Sequence, residues 1–194
     1  GAGKKLNNFV YITVSTGIGS GIIINRKLYY GSHLTAGELG HTILEAYLST
    51  KSKNSGKFEV LASGTGLAKA AALFVPNSSL ICKFADKDRE NITAEIVYKA
   101  AKSGDRSAKK LVKEQGIYLA AGITNITNIL DPEAIIIGGG VAHNGRMFFD
   151  TIHKGLKYFE LMTPNKKVKI IPAALKKHTG IYGAIALVLQ QNKK

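Results

Sequence analysis

The sequence predicts an α/β layered domain. Three observations carry this: β-branched runs cluster in the first 30 residues, long Ala/Leu-rich segments follow from residue 63, and apolar runs at 133–140 and 167–173 alternate with further helical segments. With 194 residues, 45% of them hydrophobic, a single domain with a genuine core fits, and no repeat or interdomain linker interrupts it.

The elements follow in order. Phe9–Val14 is apolar and β-branched, a first strand. Three glycines then alternate through "STGIGSG", Gly21–Ile24 resumes as a second strand, "NRK" turns the chain, and Leu28–Tyr30 forms a third. "GSHLTAGELGH" is a polar loop, and the Lys/Ser-rich stretch Ser49–Lys57 is expected at the surface. "SGTGLAKAAALF" opens the helical part. Thr93 caps "TAEIVYKAAKSG", which stops at Gly104, and Asp105 caps a long helix ending before Asp131-Pro132. "EAIIIGGG" is a buried strand ending in a glycine turn, followed by a helix to about Leu161. "KVKIIPA" is another strand and "TGIYGAIALVLQQ" a final helix, apolar on most sides and so expected to be covered on more than one face.

Composition excludes several classes. No apolar run is long enough to span a membrane, and the start carries no signal-peptide pattern. Cys82 is the only cysteine, which rules out an internal disulfide and a cysteine-based zinc site and fits a reducing, cytoplasmic setting. The net charge of +14 is spread over small lysine clusters without interleaved aromatics, which suits a solvated surface or anionic small ligands better than nucleic acid.

Three stretches carry candidate chemistry. Glycine in a strand marks a bulge, a bend or a close approach, and a turn around Gly17, Gly19 and Gly21, with hydroxyls from Ser15, Thr16 and Ser20, presents peptide donors to phosphate oxygens. It is neither a Walker A loop nor a dinucleotide fingerprint, and a structural hairpin remains open. In "AGELGH" Glu38 and His41 lie three apart between glycines; together they suit a polyhydroxylated ligand, or a surface pair with no ligand. Gly138, Gly139 and Gly140 follow a buried strand, where α/β folds bind ligands, or make a tight turn.

Taken in order, "VYITVSTGIGSGIIINRKLYYGSHLTAGELGH", "SGKFEVLASGTGLAKAA", "LDPEAIIIGGGVA" and "HTGIYGAIAL" resemble the ROK family of sugar kinases and repressors, within the actin/hexokinase/Hsp70 ATPase superfamily, over nearly the whole chain. The resemblance implies a ribonuclease H-like (actin-like ATPase) lobe, a mixed β-sheet flanked by helices. It implies that Ser15, Thr16, Gly17, Gly19 and Gly21 handle nucleotide phosphates and that Gly138–Gly140 face the adenosine. It implies sugar contacts from Glu38, His41 and Glu59; an alternative alignment through "LEAY" nominates Glu45 in place of Glu59.

Two departures qualify the resemblance. Family members bind zinc through the His and three cysteines, but Thr50, Ser52 and Lys57 stand at the cysteine positions, so no zinc is expected. The family's catalytic aspartate and N-terminal lobe fall before Gly1, so residues 1–194 are expected to be the C-terminal, larger lobe with no general base, inactive alone. Asp105, Asp131 and Asp150 fit cap, turn and helix positions. The implied activity is ATP- and Mg²⁺-dependent phosphorylation of a hexose, a glucokinase-like entry to glycolysis; the alternative is the sugar-sensing domain of a ROK repressor. Incomplete cover of the last helix implies a homo-oligomer, a dimer.

Overall fold

The structure, a computed structural model, describes residues 1–51, 55–159, 168–175 and 178–191. Alternation along β1 (Phe9–Val14) sends Val10, Ile12 and Val14 into the core and leaves Phe9, Tyr11 and Thr13 on the other face. β2 (Ile18–Ile24) returns antiparallel, pairing Val14 with Ile18 and Tyr11 with Gly21. The turn is therefore confined to Ser15–Gly17, tighter than the sequence suggested, and Gly19 and Gly21 belong to the ladder. The third strand shrinks to β3 (Lys27–Leu28): Tyr29 N–H still reaches Ile22 O at 2.8 Å, but the chain leaves the sheet within two residues, where Gly31 adopts a left-handed φ of 73°.

β4 (Ala134–Gly138) lies parallel to β1, and β5 (Lys169–Pro172) parallel to β4, giving a mixed sheet in the order β3-β2-β1-β4-β5. β4 is buried along its whole length, as a strand covered on both faces must be, which explains its unbroken apolar run.

Among the described residues, six α-helices lead from the loop to β4: α1 (Ala46–Lys51), α2 (Phe58–Ala62), α3 (Gly64–Phe74), α4 (Leu80–Phe84), α5 (Ala94–Lys102) and α6 (Arg106–Leu130). The predicted caps hold. Thr93 Oγ1 accepts from Ile96 N–H, and Asp105 accepts from Ala108 N–H at 2.8 Å through one oxygen and from Leu80 N–H and Ser79 Oγ through the other. Asp131 closes α6 in the left-handed conformation, and Asp150, in α7 (Arg146–Leu156), pairs with Arg146 at 3.4 Å. The carboxylates of Asp105 and Asp150 thus have structural partners, and Asp131 serves through its backbone.

Phe58 is fully buried, and its ring lies where a side chain on α6 at Gly122 would stand, so the short α2 is clamped onto the long helix. Removing a ring of this size from water contributes about 1.5–3 kcal/mol. A buried polar chain reinforces the junction: Tyr98 OH donates to Gln115 Oε1 at 2.9 Å, and Gln115 Nε2 donates to Ala62 O at 2.9 Å. Burial pushes the Tyr98 phenol far above its ordinary range, keeping it a donor.

Three further expectations change. Ser49–Lys57 is not simply surface: its start is α1, Gly56 is buried and Lys57 half-buried, while residues 52–54 lie outside the described residues. The helix after the glycine turn is preceded by a 3₁₀ turn at Val141–Asn144 and ends at Leu156; Leu161 lies outside the described residues. The last helix, α8 (Thr179–Gln191), is not covered by the described residues: Ile181, Tyr182, Ile185, Val188 and Leu189 are about half exposed or more.

Candidate functional site

The glycine turn is fixed first by helix α3. Gly64 N–H donates to Ser15 O at 2.7 Å, Thr65 N–H donates to Thr16 O at 3.3 Å, and the Ser63 hydroxyl caps Gly66 N–H at 3.1 Å. The leading amides of α3 are thereby satisfied within the protein, so this helix start is a clamp on the turn. By contrast, the Thr16 and Gly17 amides make no hydrogen bond among the described residues. Two unengaged donors thus sit in a turn with Thr16 exposed and Gly17 half-buried, anchored by the α3 amides.

Glu59, in the first turn of α2, reaches this turn from 41 residues away. Its Oε2 accepts the Ile18 N–H at 2.8 Å, and a methyl group on Gly17 would stand 2.2 Å from the same oxygen. The side chain missing at Gly17 is the space the carboxylate occupies. Gly19 has a milder reason, since its Cβ would lie 3.2 Å from Thr13 Cγ2 across the ladder, and Gly21 has none, with ordinary contact to Leu28 at 3.7 Å.

The loop bearing Glu38 and His41 lies on the same strand. Ser20 Oγ donates to Gly37 O; Gly37 is left-handed at φ 96°, and a Cβ on Gly40 would meet Ile18 O at 2.4 Å. Only glycines let this loop lie flat against β2. Behind it, Phe58 N–H donates to Thr42 O at 2.8 Å, Ile43 and Lys57 form an antiparallel bridge, and Leu44 and Glu45 N–H share Gly56 O. Glu38 Oε2 and His41 Nε2 stand 3.7 Å apart at the surface. Glu38, His41 and Glu59 are thereby brought together against β2. Glu45 sits just ahead of α1 on the zipped backbone, without comparable contact to the glycine turn.

A cavity of about 590 Å³ opens beside the turn, lined by Ser15, Thr16, Gly140, Val141, Thr65, Lys69 and Glu95 among others. It joins the first and third candidate stretches. Gly17, Gly19 and Gly21 do not line it. Gly138 and Gly139 line a second cavity, of about 1090 Å³, with His143, Arg146 and His178 among others; Cβ atoms added there would strike Tyr11 OH at 2.6 Å and Val14 O at 2.3 Å, and Gly139 has φ 95°. Thr65 and Lys69 were not anticipated; their spacing of four places both on one face of α3, but only the tertiary fold shows that this face meets the cavity. Arg89, also on the wall, is engaged by the carbonyls of Ala72 and Val75 and by Asn77, closing the end of α3.

The model of the ROK family matches residues 1–191. The chain belongs to the ROK family. It is 33% identical over 194 residues to a glucokinase of Halalkalibacterium halodurans, covering 98% of this chain and 59% of that protein. It is also 28% identical to a xylose repressor of Caldicellulosiruptor bescii, covering 95% of this chain and 47% of the repressor. Among solved structures, a ROK glucokinase from Streptomyces griseus in complex with glucose and AMPPNP superposes with a TM-score of 0.82 at 28% identity, over 96% of this chain and 62% of that one. The mixed sheet flanked by helices is the actin-like ATPase fold of these ROK kinases. The chain spans less than two thirds of each of these relatives. No helix of the described residues is long and apolar enough to cross a membrane.

The zinc set of the family does not fit this chain. Lys57 Nζ lies 3.0 Å from His41 Nδ1, an ammonium in place of a thiolate; Thr50 lies in α1, and Ser52 falls outside the described residues. No group of three or more His, Cys, Asp or Glu able to hold a metal occurs among the described residues.

Proposed function

We propose that residues 1–194 are the larger, C-terminal lobe of a hexose kinase of glucokinase type, which transfers the γ-phosphoryl group of ATP to a sugar hydroxyl. One observation carries the reading: the Glu59 carboxylate joins the phosphate turn to the sugar loop through Ile18 N–H. Phosphoryl transfer depends on positioning and charge stabilisation more than on covalent chemistry. A carboxylate shared by the donor wall and the acceptor wall suits that requirement.

In this reading the Thr16 and Gly17 amides donate to phosphate oxygens, with Ser15 and Gly140 bounding the nucleotide cavity. Glu38 accepts from sugar hydroxyls, His41 supplies the complementary group, and Oε1 of Glu59 remains for the sugar while Oε2 holds Ile18. Mg²⁺ would arrive with the nucleotide, whose phosphates supply ligands for it. The residues of this chain bind and orient; the base that takes the hydroxyl proton is assigned to sequence outside residues 1–194. The glucokinase relative and the Streptomyces griseus structure support the sugar and the nucleotide alike.

A second reading, a sugar-sensing repressor domain, is supported by the xylose repressor relatives. The unengaged amides of the turn weigh toward the kinase, since a sensor of sugar alone has no need of them. The test is Mg·ATP-dependent phosphorylation of a hexose panel by the complete gene product containing this chain. Turnover abolished by Glu38→Gln or His41→Ala is expected. Sugar-dependent thermal stabilisation without turnover on any hexose would decide for the sensor.

A further inference from the structure

Lys57 stands at a position where the family carries a metal-binding cysteine, and its contact with His41 has a chemical consequence. An ammonium has three donors and no acceptor. With Lys57 Nζ 3.0 Å from Nδ1, that nitrogen must present its lone pair, so the proton of the neutral imidazole resides on Nε2. Nε2 is also the atom that faces Glu38, at 3.7 Å. We infer that Lys57 is a positioning residue that locks His41 in its Nε2–H tautomer, replacing with a hydrogen bond the tether that zinc provides elsewhere in the family.

A second, independent observation is that the loop is tied down by its own backbone. Residues 42–45 are zipped to residues 56–58 by Phe58 N–H to Thr42 O, by Leu44 and Glu45 N–H to Gly56 O, and by the Ile43–Lys57 bridge. The backbone of Lys57 thus secures the loop while its side chain orients the ring. Lys57 is half-buried, and its position immediately before α2, two residues from Glu59, couples the His41 ring to the helix that carries the third sugar-contact carboxylate. Resting on the sugar-contact reading of His41, the lock makes the pair complementary: Nε2–H donates to a sugar hydroxyl and the Glu38 carboxylate accepts from one. Without the lock, a fraction of rings would offer Nε2 as an acceptor beside a carboxylate, and a hydroxyl would meet two acceptors.

The experiment is long-range ¹H–¹⁵N correlation spectroscopy of the uniformly labelled chain at about pH 8, above the ordinary histidine range of about 6.5, with His41 assigned by His41→Gln. The expected spectrum has an unprotonated Nδ1 and a protonated Nε2 at His41. Lys57→Met, which keeps the apolar stem, should raise the minor tautomer on the order of fivefold, the worth of one ordinary hydrogen bond, and Lys57→Arg should restore the wild-type pattern. Adding zinc or a chelator should leave the His41 signals unmoved. A proton mainly on Nδ1 in the wild type, comparable populations of both tautomers, a zinc-induced shift, or identical spectra for wild type and Lys57→Met would each overturn the lock. The sugar reading is scored separately: glucose that leaves the Glu38 and His41 signals in place counts against that reading, while the tautomer decides the lock.

Discussion

Gly17→Ala tests the junction between turn and loop. The new methyl carbon would stand 2.2 Å from Glu59 Oε2 and 3.0 Å from Cδ, far inside contact distance. Of the two partners the carboxylate gives way, because the turn is clamped by Gly64 and Thr65 N–H to the carbonyls of Ser15 and Thr16. Ile18 N–H, part-buried, then loses its 2.8 Å partner. A donor left unsatisfied in that setting costs about 1–3 kcal/mol. Replacing glycine offsets about 0.4–1 kcal/mol through the entropy of the unfolded chain, leaving a net loss of about 1–2 kcal/mol. At this chain length that corresponds to a fall in Tm of about 2–8 °C. If Glu59 contacts the sugar as proposed, its displacement also removes a charge-assisted contact, and glucose affinity should fall about tenfold or more. Thermal unfolding and glucose titration of Gly17→Ala would be read against Gly21→Ala, whose methyl meets only ordinary contact at 3.7 Å and should leave both quantities nearly unchanged. Equal behaviour of the two variants would refute the role given to the Glu59–Ile18 bond.

Other outcomes follow from the same structure. Gln115→Leu orphans Tyr98 OH and the Ala62 carbonyl and should lower stability by about 2 kcal/mol in chemical denaturation; adding Tyr98→Phe should recover part of that loss, and strict additivity would contradict the network. Burial alone would raise Asp105, but the N–H groups of Ala108 and Leu80 and the Ser79 hydroxyl outweigh it and hold the carboxyl below its ordinary value. Its stabilising effect is therefore complete above the unfolded value of about 3.9 and lost as pH falls through the lower folded value. Asp105→Ala should be about 1 kcal/mol less stable at pH 7, with the gap closing below about pH 4; parallel stability curves would contradict this. The apolar face of α8, from Ile181 to Leu189, should bind a hydrophobic dye or drive concentration-dependent dimerisation of the chain, and a monomer by light scattering with no dye response would count against it.

Much of this fold was legible in the sequence because local rules and tertiary outcome agree. β1 is an apolar, β-branched run, Thr93 and Asp105 cap their helices, and Gly104 stops α5, each signalled within a few residues. Disagreement began where non-local contacts decide. β3 is shorter than its apolar run because Gly31 turns the chain away, and the five-residue α2 exists because Phe58 finds its seat against Gly122, 64 positions on. The site divides in the same way. Its residues were nominated by short glycine-bearing stretches. That Glu59 bonds Ile18, that Lys57 bonds His41, and that Thr65 and Lys69 face the cavity depends on how helices seat on the sheet, which spacing along one chain does not encode. The glycines teach a related lesson. Gly17 and Gly40 are explained by neighbours within the protein, whereas the triplet divides between two cavities: Gly140, in ordinary contact with Ser15 Oγ, lines the one beside the turn, and Gly138 and Gly139 line the other.

The most direct measurement is a map of backbone amide shifts in the ¹⁵N-labelled chain as glucose is added. If the phosphate turn and the sugar loop are one unit joined by Glu59, the Ile18 amide moves together with the amides of Glu38 through His41, at the same glucose concentration. Shifts that spare Ile18, or none in either segment, would contradict the account.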